Sequence, residues 1–170
     1  MADQTAVPER LPPASIDQVP ELGYRNYWYP AIQSRRVRKK PVHVKMLGDD
    51  LVVFRNRKTG TVHAISDRCP HRGASLALGN AYWDGTLSCP YHGWTFNTEG
   101  ELVGVLSEGP DCPLVGKVTI RTYPVEEFRG FVWAWMGEGT PVPLADDLPL
   151  ELADTSTAAF PQVQVWKANW

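Results

Sequence analysis

Cysteine is scarce, charge of one sign is lacking and long apolar runs are missing, and each shortage removes a class of protein. Three cysteines in 170 residues cannot staple a domain of this size, since one is left over from any pairing. Lys and Arg number 17 against 19 Asp and Glu, a net charge of −2, which gives no bulk attraction for nucleic acid. No apolar stretch nears the roughly 18 residues that a membrane helix needs. The first thirty residues have no basic start leading into an apolar run, so no secretory leader is expected and the chain reads as cytoplasmic. What abounds is punctuation. With 14 Gly and 15 Pro, short strands joined by turns are favoured over long helices.

The turn signals divide the chain. Residues 1–23 are polar, with prolines at 8, 12, 13 and 20, and read as an arm that cannot bury much alone. The aromatic-rich stretch at 22–30 (LGYRNYWYP) is placed to anchor that arm. Strands are predicted at Val42–Leu47, Leu51–Asn56 and Thr61–Ser66, with a turn at Gly48-Asp49-Asp50 between the first two. Short strands follow at Leu87-Ser88, Trp94–Phe96 and Leu102-Val103. Tyr123–Phe128 and Phe131–Trp135 flank a tight Arg129-Gly130 hairpin turn. This spacing predicts an all-β fold, an antiparallel sandwich or barrel, and no βαβ sheet. Residues 24–136 are expected to form one domain. Residues 137–161 carry five acidic residues, four prolines and no Lys or Arg, and read as a strap leaving it. Residues 162–170 (QVQVWKANW) look like the first strand of a further domain, so the sequence reads as part of a longer chain.

The chemistry sits in two short segments. Cys69-Pro70-His71 and Cys89-Pro90-Tyr91-His92 each supply one thiolate and one imidazole, and glycine follows each at Gly73 and Gly93. Two sulfurs and two nitrogens suit a tetrahedral zinc or an iron–sulfur centre. One residue between Cys69 and His71 is awkward for gripping a single zinc, which favours pairs two to four residues apart. It is easier if each ligand binds a different atom of a cluster, and a [2Fe–2S] centre with cysteines on one iron and histidines on the other meets that demand. Pro70 and Pro90 stiffen the loops. Gly73 and Gly93 let main-chain N–H groups approach the sulfides.

These segments, CPHRGASLALG at 69–79 and CPYHGWTF at 89–96, resemble the Rieske family, and its oxygenase branch above all. Respiratory Rieske proteins carry an extra cysteine in each loop and hydroxyl donors near the cluster. Here Tyr91, Trp94 and Phe96 stand in those surroundings, so a low potential is expected, toward the lower end of about −150 to +300 mV. LGYRNYWYP, the TYPVEE…GFVWAWMG stretch and the exit into WKANW are similar to terminal oxygenases of the carbazole-type branch of ring-hydroxylating oxygenases. The resemblance implies that Cys69, His71, Cys89 and His92 ligate the cluster, with Arg72, Gly73, Tyr91, Gly93 and Trp94 around it. It implies electrons arriving from a ferredoxin or reductase, and a homo-oligomer in the full-length protein. It also implies a mononuclear iron that activates oxygen in a larger domain, whose ligands are absent from this sequence. No catalytic residue is therefore assigned here. A stand-alone Rieske ferredoxin and a zinc-binding module are the competing readings.

Remaining residues carry blander expectations. Cys112 packs as a small apolar residue. Arg72 either biases the cluster by its charge or joins a loop ion pair. Tyr91 and Trp94 shield the cluster or simply pack. The basic run Arg35–Lys40 is a solvated strand edge before it is a docking site for an acidic donor. His43 and His63 are half-exposed strand residues.

Overall fold

The structure, a computed structural model, describes residues 20–158. Most of the arm expected over 1–23 and the strand expected over 162–170 lie outside the described residues. Among the described residues there are eleven strands: β1 Trp28–Gln33, β2 Val42–Met46, β3 Asp49–Arg55, β4 Val62–Ser66, β5 Asn80–Ala81, β6 Leu87–Ser88, β7 Trp94–Phe96, β8 Leu102–Val105, β9 Thr122–Tyr123, β10 Val125–Phe128 and β11 Phe131–Trp135. They form three antiparallel sheets, in the orders β1-β11-β10, β2-β3-β4-β9 and β5-β6-β7-β8. The all-β expectation is met.

Turn chemistry sets the registers. Leu47 and Gly48 both have positive φ, 46° and 84°, and Met46 pairs directly with Asp49. This two-residue turn has the hand that matches strand twist. The turn therefore falls one residue earlier than Gly48–Asp50, and Asp49 and Asp50 open β3. Arg129 and Gly130 repeat the device, with φ of 52° and 80°, between paired Phe128 and Phe131.

The two central strands of the second sheet, β3 and β4, are buried on both faces. Strand side chains alternate between faces, and in β3 Leu51 and Val53 enter one core while Val52 and Phe54 enter another. β4 divides likewise, sending Val62 and Ala64 one way and Ile65 the other. The first core lies against the first sheet, with Ile32, Val132 and Ala134. The second lies under the third sheet, with Leu76, Leu87, Phe96, Leu102 and both Cys69 and Cys89. One wall thus serves a sandwich on one side and the cysteine-bearing loops on the other.

Tyr123–Phe128, expected as one strand, is broken at Pro124. β9 completes the second sheet and β10 joins the first, because proline cannot donate to a ladder. The acidic stretch after Trp135 carries two helical turns, α1 Leu144–Asp147 and α2 Leu150–Ala153. Leu144 and Leu148 pack on Trp28, Trp133 and Trp135. The Trp28 indole donates to the Val142 carbonyl at 2.7 Å, and the Trp28 N–H donates to Asp147 at 2.7 Å.

Candidate metal centre

The third sheet ends in two loops built on the same plan. In the first, between β4 and β5, the Cys69 N–H donates to the Ala74 carbonyl at 2.9 Å and the Gly73 N–H to the Cys69 carbonyl at 2.8 Å. In the second, between β6 and β7, the Cys89 N–H donates to Trp94 at 2.8 Å and the Gly93 N–H to Cys89 at 3.2 Å. Both are Cys-Pro-x-x-Gly turns closed by a left-handed glycine, with φ of 71° at Gly73 and 67° at Gly93. A side chain is strained there, and at Gly93 a Cβ would also run into Cβ of Leu106. The turns differ in where they carry histidine, third position in one and fourth in the other.

That difference brings like to like. Cys69 and Cys89 are buried, 1% and 5% exposed, as members of the second core. Neither is in a disulfide. The imidazoles of His71 and His92 meet edge to face, with ring centroids 4.6 Å apart. The Trp94 indole stacks on His71 at 5.1 Å and 9° from parallel, and the Tyr91 ring lies 3.9 Å from His92. Trp94 is buried, so it screens the underside of His71; Tyr91 is 64% exposed and lies on the surface beside His92. Arg72 is exposed on the first turn.

Burial pushes the Cys69 thiol up to about 11; the main-chain N–H groups of His71 and Arg72 aim at its sulfur and oppose the rise, while the adjacent Cys89 thiol adds to it. A metal would displace that proton and leave a thiolate already supplied with amide donors. Among the described residues no three His, Cys, Asp or Glu side chains converge as a single-ion site. The four donors fall instead into a buried sulfur pair and an outward imidazole pair. That division suits two linked metal atoms, one per pair, better than one tetrahedral zinc.

Other expected residues stay apart from this site. Cys112 is buried in the second core. His43 pairs with Asp50 at 2.9 Å. His63 packs at 6.0 Å from the Phe54 ring, and burial lowers its pKa. In the basic run, Ser34–Arg36 form one 3-10 turn and Val37 is buried beneath the exposed cations. Sequence reasoning missed Asp67, one of two buried polar side chains among the described residues. Its signal was faint: an acidic residue two positions before a ligand candidate.

Comparison with known proteins supplies the family. The Rieske [2Fe-2S] domain family matches residues 27–124. The terminal oxygenase component of carbazole 1,9a-dioxygenase from Sphingomonas sp. is 37% identical over the whole chain, which spans 45% of that protein. The solved terminal oxygenase of carbazole 1,9a-dioxygenase from Novosphingobium sp. KA1 is 40% identical with a TM-score of 0.81, over 88% of this chain and 40% of that one. A solved reduced complex between oxygenase and ferredoxin in carbazole 1,9a-dioxygenase matches at 36% identity and a TM-score of 0.79, over 88% of this chain and 38% of that one. The chain thus spans less than half the length of these relatives.

Proposed function

From the premise that the chain belongs to the Rieske [2Fe-2S] domain family, we propose that it is the electron-transfer portion of a ring-hydroxylating oxygenase. Cys69 and Cys89 would hold one iron of the cluster as thiolates, and His71 and His92 the other through one ring nitrogen each. When bound, the cluster supplies one-electron redox chemistry. The residues around it control what reaches it. The second core and Trp94 keep water from the sulfur side, while the imidazole pair faces outward as the path for electrons. Gly73 and Gly93 bring main-chain N–H groups close, and Arg72, Tyr91 and Trp94 surround the histidines.

A ferredoxin or reductase is the proposed donor, and a mononuclear iron in a separate oxygen-activating domain the proposed acceptor, within a cytoplasmic homo-oligomer. One feature supports this reading over a stand-alone carrier: the match to an oxygenase component extends over the whole chain, well beyond the 27–124 span of the cluster domain.

The observation that carries the reading is the pairing of sulfur with sulfur and imidazole with imidazole on two copies of one turn. It is tested by iron and acid-labile sulfide analysis with EPR of the dithionite-reduced protein. Equal amounts of iron and sulfide, with a rhombic signal that vanishes on oxidation, are expected. Stoichiometric zinc in a colourless, EPR-silent protein would refute it.

A further inference from the structure

The two buried polar side chains among the described residues, Asp67 and Ser88, both stand directly before a cysteine loop. Asp67 is 4% exposed. Burying a carboxylate is costly unless its oxygens find donors, and here each oxygen has one. Oδ2 accepts the Ser75 hydroxyl at 2.7 Å and Oδ1 accepts the Ala77 N–H at 2.6 Å. The main chain of the same residue is equally engaged. Its N–H donates to the Asp50 carbonyl on β3 at 2.9 Å, and its carbonyl accepts the Leu76 N–H at 2.9 Å. His43 stands further off, with Nε2 at 4.0 Å from Oδ2. It borders, with Asp50, Asp67, Arg68, Gly73, Ser75 and Leu78, a cavity of about 480 Å³ beside the loop.

The donors on Ser75 and Ala77 lie eight and ten residues beyond Asp67, on the far limb of the loop that contains Cys69 and His71. Asp67 therefore closes the neck of that loop and ties it to the two-sided second sheet. The far limb then runs to Gly79, where a Cβ would overlap the Ser88 carbonyl, so it abuts the start of the second loop. We propose that Asp67 is a positioning residue for the centre: its carboxylate fixes Cys69 and His71 opposite Cys89 and His92. This rests on the cluster reading above. Charge-assisted bonds are the strong kind, which fits a clamp on a loop that runs from the five-residue β4 into a two-residue β5.

The test compares Asp67→Ala, Asp67→Asn and Ser75→Ala by iron release to a chelator and by EPR lineshape of the reduced protein. An Asn side chain offers an oxygen to the Ala77 N–H and an NH₂ to the Ser75 oxygen, so it can rebuild the clamp. Asp67→Ala is expected to release iron at least about tenfold faster and broaden the EPR signal, as expected on removing a group that orients ligands. Ser75→Ala should fall between, and Asp67→Asn should stay near the parent. Asp49→Ala serves as a control, since it breaks contacts elsewhere; it should lower the melting temperature without changing iron release. Native iron release and lineshape in Asp67→Ala would overturn the proposal, as would Asp67→Asn behaving like Asp67→Ala. If Asp67→Ala does not fold, an unchanged Ser75→Ala decides against it. A parent protein lacking the cluster signal refutes the cluster reading itself, which keeps the two failures separate.

Discussion

Cys69 and Cys89 are core residues as well as ligand candidates, packed with Phe54, Leu76 and Phe96. Serine at either position keeps the shape but not the soft thiolate that iron prefers. Cys89→Ser is therefore expected to reduce bound iron to background while far-UV circular dichroism shows the strands intact; native iron content would refute its role as a ligand. The potential is also decided by single side chains. The Ser75 hydroxyl is given to Asp67 at 2.7 Å and the Thr95 hydroxyl to the Gly93 carbonyl at 3.1 Å, and Trp94 and Phe96 are buried nearby in the same core. With these hydroxyls turned to other partners, reduction gains little help from them. A midpoint in the lower half of about −150 to +300 mV is expected by redox titration. Gly79 matters for space, since its φ is an ordinary −89°. Gly79→Ala would drive a Cβ into the Ser88 carbonyl, an overpacking that costs about 3 kcal/mol, to be read as a lower urea midpoint.

At the scale of elements, the exits and entrances of strands are held by charged latches. Arg25 donates to both oxygens of Asp49, at 2.9 and 3.1 Å, and to the Leu47 carbonyl at 2.9 Å. Tyr123 on β9 donates to the same carboxylate at 3.3 Å. Hydrogen bonds from Arg25 hold the Asp49 carboxyl below its ordinary 3.8, against the opposing effect of burial. Its folded pKa lies below its unfolded one, so its stabilisation is complete above about pH 4 and fades as pH falls through the folded value. Arg25→Ala should flatten the decline of the urea midpoint between pH 5 and 3; an unchanged slope would show that the latch contributes nothing there. Leu144 on α1 makes a different kind of anchor. Packed on three tryptophans, it is expected to lose about 2–4 kcal/mol on Leu144→Ala.

The strand pattern was legible because turn residues and alternation are local signals: Lys58–Gly60 and Arg129-Gly130 each mark a reversal, and Gly48 marked another to within one residue. The ligand candidates were legible because cysteine, histidine and glycine recur at short spacing. What escaped is non-local. Nothing near Pro124 says that its two sides join different sheets, nor do Leu144 and Leu148 reveal, 116 and 120 residues from Trp28, that they cover it. Asp67 looks like any loop aspartate until its partners on the far limb are seen.

For the whole molecule, the decisive feature is that one sheet serves two cores of unequal self-sufficiency. The core between the first and second sheets is built from Leu51, Val53, Ala64, Val132 and Ala134, on strands of four to seven residues. The core under the third sheet leans on strands of only two to four residues, β5 to β8. It also includes the Cys69 thiol, whose pKa burial raises. Metal binding adds its free energy to whichever part forms the site, and regions with few stabilising contacts open first. Removal of iron by a chelator should therefore loosen the molecule unevenly. Hydrogen exchange is expected to rise for amides at Cys69–Gly79 and Leu87–Val105, whereas Val52, Val53 and Ala64 stay protected as before. A uniform rise across all three sheets would mean that the cores are one cooperative unit. Protection unchanged everywhere would mean that the loops hold their shape without metal, and the Cys-Pro-x-x-Gly turns alone would then account for the geometry of the site.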